Sequence, residues 1–369
     1  MEAVIRFMAP PSATLGVYTG RLYLWRFFGL LLGLVAILQV LDVMAETEQI
    51  MAADGATWES ILRYAKLRIP QLINQFTPFC ALLATLLALA GLNQHSEIIV
   101  MKASGLSAHR ILLPLGLASA LITIAHFSFN ELIVTRATAE LDYWRDNGYA
   151  LDLPPQQRDF NSWVIEDDTL VSAEAIRRRG DEFFLDRVSL FTRDADGKVR
   201  ELVKAEFALH LNGQWTLWEV RRFDVASHSL TVEDQVPWNT DIQPDRFVDL
   251  AVVPERVNVL QLNDAIERLQ AEGQTVEKQR LYFWQKFAGP ASTLLMPLLG
   301  AVAGFGVHRA GRLVIRVVVG MALGFAFFIA DNFMLAMGEF GVAPPLLAAW
   351  APFLLFGSIG LAVIFYTEE

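Results

Sequence analysis

Hydrophobic positions along this chain fall into two regimes. In six segments apolar residues run on for about twenty positions with no polar face, the length a helix needs to cross a hydrocarbon layer of roughly 30 Å. The segments run about Leu24 to Ala45, Ile69 to Leu92, Ile111 to Asn130, Phe287 to Val307, Val317 to Gly338 and Val342 to Tyr366. Lipid offers the backbone no hydrogen-bond partners, so each run predicts a transmembrane helix. Formal charge enters only the first, as Arg26 and Asp42 near its ends, and the fifth, as Asp331.

Between Leu132 and Leu281 the pattern changes to a period of two. Phe207, Leu209 and Leu211 alternate with Ala208 and His210, Asn212-Gly213 supplies a turn signal, and Trp215 to Val220 returns as a partner strand. Val188 to Thr192 and Val199 to Lys204 flank a second turn at Asp194 to Gly197. Short strands with turns between them suggest a sandwich or jelly roll. After Pro254 the period becomes helical: Leu262, Ile266 and Leu269 share a face, and Gly273 is a stop signal.

Composition sharpens this division. The chain is 54% hydrophobic yet carries a formal charge of −10, so apolar and solvated parts must be segregated. Most of the charge lies in the middle segment, which reads as a solvated domain. Orientation follows from the Lys and Arg of the short loops. Arg6, Arg21 and Arg26 open the first span, Lys102 and Arg110 flank the two-to-three connection, and Arg309, Arg312 and Arg316 fill the four-to-five connection. The one-to-two link instead holds Asp42, Glu46, Glu48, Asp54 and Glu59. Both termini are therefore expected in the cytoplasm and the β-rich domain outside it. The first apolar run is longer than a signal-peptide core, so it is read as a retained helix.

Candidate chemistry is sparse. Cys80 is the only cysteine and lies in an apolar run, which excludes an intramolecular disulfide. The sequence holds no Gly-x4-Gly-Lys-Ser/Thr, His-Glu-x-x-His or Gly-x-Ser-x-Gly motif, and its six histidines lack metal-ligand spacing. No cofactor, metal or nucleic-acid partner is expected, and any energy-consuming function must use a partner's engine. The most informative short segment is Ser96-Glu97-Ile98-Ile99-Val100-Met101-Lys102-Ala103-Ser104-Gly105. Ser96 is placed to cap a short helix, Glu97 suits its N-terminal dipole and Gly105 can end it in a left-handed conformation. Such a helix would present Glu97 and Met101 at i and i+4 to a cytosolic partner. Read from helix signals alone, it is equally a connector lying on lipid headgroups.

That segment resembles the coupling helix of the LptF/LptG permeases of lipopolysaccharide export, which docks in a groove of the ATPase LptB. Trp284-Gln285-Lys286-Phe287-Ala288-Gly289-Pro290, His308-Arg309-Ala310-Gly311-Arg312, and Gly341-Val342-Ala343-Pro344-Pro345 through Ala348-Ala349-Trp350 resemble the same family, the last more the LptG than the LptF branch. The resemblance spans essentially the whole chain. It implies a non-catalytic permease subunit of an ABC transporter in the bacterial inner membrane. Such a subunit pairs with an LptF-like permease on an LptB-like ATPase dimer and hands lipopolysaccharide to LptC/LptA-like periplasmic bridge proteins. The fold implied is six transmembrane helices with an inserted all-β, jelly-roll-like periplasmic domain. Residues 1–133 would hold helices one to three and the coupling helix, 134–256 the β domain, and 257–369 the amphipathic connector with helices four to six.

Carried over residue by residue, the resemblance assigns ATPase coupling to Glu97, Met101, Lys102 and Gly105. It assigns contact with the lipid to Phe76 on the cavity wall and to Asp42, Arg136 and Arg145 at the periplasmic rim. The plain alternatives are a lipid-facing or packed Phe76, and surface pairing of the arginines with Glu140 or Asp142. The family often has Lys three residues before the rim Asp, where this chain has Gln39, so either the partner supplies more charge or the headgroup differs. Asp331 is read as a structural hydrogen-bonding group, with Asn332 or across the dimer. Lys286 is read as reaching the periplasmic interface. The competing function is a membrane-anchored periplasmic binding, sensory or scaffold protein, for which one or two helices would suffice as an anchor.

Overall fold

In the computed structural model the residues described are 13–150, 158–166, 168–179, 182–194, 198–211, 213–225, 227–240, 242, 253–271, 274–306 and 313–368. They divide into two compact units, Met1–Leu151 with Pro254–Asn263 and Val276–Glu369, and Asp152–Val253 with Asp264–Thr275.

The first unit is helical. Its elements are α1 (Ala13–Met51), α2 (Trp58–Gln94), the short α3 (Glu97–Ala103), α4 (Ala108–Phe129) and α5 (Thr135–Asp146), then α7 (Glu277–Gly306), α8 (Leu313–Glu339) and α9 (Pro345–Glu368), with α6 (Val259–Ala271) shared between the two units. Among the described residues the body of every apolar run lies in one of these helices. Among the described residues five helices, Thr14–Met51, Trp58–Gln94, Ala108–Asp146, Val317–Glu339 and Pro345–Phe365, are long and apolar enough to cross a membrane. The expected fourth span, Phe287 to Val307, falls in α7, and Val307 lies outside the described residues.

α2 and α7 are the central pair. Glycine permits their contact: a Cβ at Gly300 would meet Thr85 Cγ2 at 2.7 Å, so the two backbones approach as closely as a small residue allows. α8 closes on the same helix through Gly324, where a Cβ would clash with Leu82. Around this contact Leu82, Leu89, Leu92, Leu115, Met296, Leu299 and Phe327 form one buried cluster. Gly29 and Gly33 face open space instead, on an α1 surface where Trp25, Leu32 and Ile37 are exposed. That face suits lipid or another span, because only an apolar solvent tolerates it.

α4 passes into α5 through one π-helical turn, Asn130–Val134. The turn carries Glu131, which Lys286 of α7 meets at 3.2 Å with side-chain exposures of 12% and 8%. Glu131 also accepts from the backbone N–H of Val259, the first residue of α6, so one carboxylate joins three elements. Lys286 is thus inside an ion pair rather than reaching outward to the interface. α6 is the helix expected after Pro254. Its face of Leu262, Ile266 and Leu269 is buried while Leu260 is exposed, and the expected stop at Gly273 lies outside the described residues.

The second unit holds β1 (Arg158–Glu166), β2 (Thr169–Arg179), β3 (Glu182–Arg193), β4 (Val199–Leu211), β5 (Gln214–Asp224) and β6 (Ser229–Trp238). They form one six-stranded antiparallel sheet in the order β1-β2-β3-β4-β5-β6. Each strand thus pairs with its sequence neighbour, and the crossover order of a two-sheet jelly roll does not occur among the described residues. The predicted hairpin is present, with Leu211 opposite Gln214 and Gly213 at φ +82°; Asn212 and the tip of the second turn, residues 195–197, lie outside the described residues. The buried face is built by Leu185, Val188 and Leu190, then Val203, Ala205 and Ala208, then Trp215, Leu217 and Val220. In each strand the inward set shifts phase once. Arg187 and Glu219, at φ +48° and +52°, mark the shift in β3 and β5, so the sheet is creased across its middle strands.

Candidate functional site

Two places in the helical unit gather the predicted site residues, at opposite ends of the bundle. At one end α1 stops, α2 begins and α5 follows the π turn. Thr57 caps α2 by accepting from Glu59 N at 3.3 Å, while Ser60 Oγ accepts from Thr57 N, a reciprocal box that fixes where α2 starts. One turn later Tyr64 and Arg68 share a face and both reach Asp42 of α1. The Tyr64 hydroxyl donates to Asp42 Oδ2 at 2.6 Å, and the Arg68 guanidinium forks onto the carboxylate at 2.9 and 3.2 Å. Arg68 also donates to Gln71, whose amide donates to Thr138 on α5.

A second layer lies beside it. Arg145 pairs with Glu46 at 3.3 Å and donates to the Tyr149 hydroxyl, which in turn donates to Glu46 at 3.0 Å. Burial raises the Tyr149 pKa, which keeps the phenol a donor. Arg63 meets Glu140 at 3.0 Å and lies 4.8 Å over the Trp144 ring. This rim is a polar belt tying α1 to α2 and α5.

Of the residues assigned to lipid contact, the structure brings Asp42 and Arg145 into this belt. Arg145 is not a free cation there, being paired with Glu46 rather than with Glu140 or Asp142. Arg136 is exposed, on α5, and makes no ion pair among the described residues. Phe76 is half-buried on α2. A cavity of about 500 Å³ does occur on the bundle, but α1 and α4 line it, through Leu24, Trp25, Phe28 and Leu121 among others, and Phe76 does not.

Gln39 stands one turn before Asp42, and both polar atoms of its amide are buried without a hydrogen-bond partner among the described residues. The cation beside Asp42 is Arg68, on the next helix. Sequence reasoning missed Tyr64, Arg68, Glu46 and Tyr149. Their only sequence signal is the i, i+4 spacing of Tyr64 and Arg68 at the entry to an apolar run.

At the other end α3 forms the foot. Ser96 does not cap it with its side chain: its φ is +58°, which turns the hydroxyl away from the first turn. Gly105 ends it as expected, at φ +88°, with Leu106 N bonded to Met101 O. The paired display of Glu97 and Met101 does not form. Ile98 and Met101, three apart, are the more apolar face and are buried at 7% each in the bundle cluster. What α3 offers outward is Ile99 and Val100, 63% and 65% exposed. Glu97 is held by the Tyr18 hydroxyl of α1 at 3.2 Å. Lys102 is half-buried and Gly105 exposed. Deeper in the bundle, Asp331 accepts from Gln285 of α7 at 3.3 Å, while Asn332 turns back to its own helix at Phe328 O.

A short foot set on a core of long apolar helices, with the segments flanking it, matches a known family over residues 17–366: the lipopolysaccharide export system permease LptF/LptG. The chain belongs to the LptF/LptG family. Curated relatives include the lipopolysaccharide export system permease protein LptG of Haemophilus influenzae, 25% identical over 361 residues that cover 93% of this chain and 96% of that protein. The LptG of Escherichia coli K12 is 24% identical over 360 residues, 95% and 98% of the two chains. The LptF/LptG resemblance read from the coupling and tail segments is thereby established for nearly the whole length. With its long apolar helices, this LptF/LptG member fits a multi-pass membrane permease.

Proposed function

We propose that the chain is the LptG-type transmembrane subunit of an ATP-driven exporter that extracts lipopolysaccharide from the inner membrane. In this reading α7 completes a set of six spans, both termini are cytoplasmic, and the sheet unit lies in the periplasm. Residues 1–133 and 257–369 provide the two membrane halves, and 134–256 the periplasmic part. An LptF-like permease is the second half of a heterodimer, an LptB-like ATPase dimer supplies the energy, and LptC/LptA-like bridge proteins receive the lipid.

The observation that carries this reading is the foot. α3 exposes Ile99 and Val100, which water disfavours on so small an element, next to a carboxylate already oriented by Tyr18. An apolar pair beside one fixed charge is what a groove on a partner can grip. Glu97, Lys102 and Gly105 keep their assigned place at this contact, and Met101 serves it from behind by anchoring the helix. At the rim, Arg136 is the available cation for a phosphorylated headgroup, Asp42 and Arg145 hold the belt that shapes the opening, and Phe76 lines the wall between the two.

The purified chain is expected to show no ATPase activity alone and to co-purify with an ATPase. Glu97→Ala should lower the stimulated ATPase rate of the assembled complex; full activity in that variant would remove Glu97 from the coupling role. A photoreactive residue in the sheet unit should form lipid adducts only when ATP is supplied. Adducts with protein, independent of ATP, would favour the scaffold reading instead.

A further inference from the structure

Six prolines lie inside the membrane helices: Pro70 and Pro78 in α2, Pro114 in α4, Pro290 and Pro297 in α7, and Pro352 in α9. Proline has no N–H, so the carbonyl four residues earlier loses its helical partner. In lipid that carbonyl needs another donor, which a neighbouring helix can supply.

At two of these breaks the donor comes from the same face of α4. The carbonyl orphaned by Pro78 is that of Asn74, and His126 Nε2 lies 3.1 Å from it and 2.9 Å from Asn74 Oδ1. A carbonyl oxygen can only accept, so Nε2 carries the proton. Nδ1 is then the acceptor, for the Thr293 hydroxyl at 3.2 Å. The carbonyl orphaned by Pro297 is that of Thr293 itself, and Ser119 Oγ donates to it at 2.7 Å. Ser119 and His126 are seven residues apart, two helical turns, and so point the same way. All three polar side chains are buried: Ser119 and Thr293 are 0% exposed and His126 7%.

Both breaks sit where a bend would matter. Pro78 lies two residues from Phe76, between the rim pair Tyr64 and Arg68 and the foot end of α2. Four residues separate α3 from α4, and Ile98 and Met101 of α3 share a buried cluster with Ala108 and Ile111 of α4. A displacement of the foot therefore reaches both α2, whose Leu89 and Leu92 share that cluster, and α4.

We propose that α4 is a strut clamping proline hinges in α2 and α7, and that Ser119 and His126 are the positioning residues that keep the two hinges in step when α3 is displaced. The proposal rests on the functional reading above, in which α3 is where the ATPase partner acts.

Restoring the missing N–H makes each clamp dispensable, which gives a test by double-mutant cycles on the assembled complex. His126→Phe and Ser119→Ala should each lower the folded-to-unfolded ratio in detergent by roughly three- to ten-fold, and both should reduce lipid released per ATP hydrolysed. His126→Gln, which keeps an N–H donor, should recover most of the first loss. In a Pro78→Ala background His126→Phe should add little further loss, and in a Pro297→Ala background Ser119→Ala should likewise add little. Ser119→Ala with Pro78→Ala should be additive. Additivity within the matched pairs, or an unchanged lipid-to-ATP ratio in both single variants, would overturn the proposal. Should the wild-type complex release no lipid, the functional reading fails, and the stability cycles still decide whether α4 clamps the two breaks.

Discussion

At the scale of single residues, the rim shows how a charge in the membrane zone finds its partner. Asp42 has no cation within two turns of it on its own helix, and the carboxylate is met by the Arg68 fork and the Tyr64 hydroxyl across the α1–α2 contact. A bidentate pair depends on shape as well as charge. Arg68→Ala is therefore expected to destabilise the protein by about 1.5–3 kcal/mol, and Arg68→Lys to recover only part of that, as read from the thermal unfolding midpoint in detergent. Equal stability of the two variants would mean that the fork contributes nothing beyond its charge. None of this was legible in the sequence, where Asp42 and Arg68 are 26 positions apart with a turn between them. The buried Gln39 amide was legible only as a departure from the family pattern.

At the scale of elements, the helices were legible because lipid forces each span to be a continuous apolar run. The sheet's hairpin was legible because Gly213 tolerates the positive φ its turn requires. Two features were not. The outward face of α3 is set by which side the bundle core buries, so Met101 turns in and Val100 turns out. The π turn at Asn130–Val134 places Glu131 where Lys286 and the start of α6 converge, and no local sequence rule gives that meeting. The pair is nearly dry, so removing one partner strands the other. Glu131→Gln or Lys286→Met alone should cost about 3–5 kcal/mol, and the double variant should recover a substantial part. Thermal unfolding of the full chain in detergent reads this, and a double variant worse than both singles would show that the ion pair is not the relevant contact.

At the scale of the whole molecule, the reading requires alternate loops on alternate sides of the membrane. Reporter fusions at residues 104 and 340 should report cytoplasm and periplasm respectively, and a fusion at residue 213 should report periplasm. A cytoplasmic signal at residue 213 would invert the orientation and with it the role of the foot. The α1 surface at Gly29 and Gly33 is open, since a Cβ at either glycine would meet nothing within 4 Å among the described residues.

By itself the sequence determined the position of the apolar runs, the solvated β-rich middle, the amphipathic helix after Pro254 and the family, because solvent choice and backbone satisfaction act locally along a chain. Tertiary structure alone decided which partner each intramembrane polar group takes: Arg68 for Asp42, Lys286 for Glu131, Gln285 for Asp331, and α4 for the carbonyls that two prolines leave open. Those choices depend on which helix faces meet, and an apolar run carries almost no record of which of its faces turns toward which neighbour.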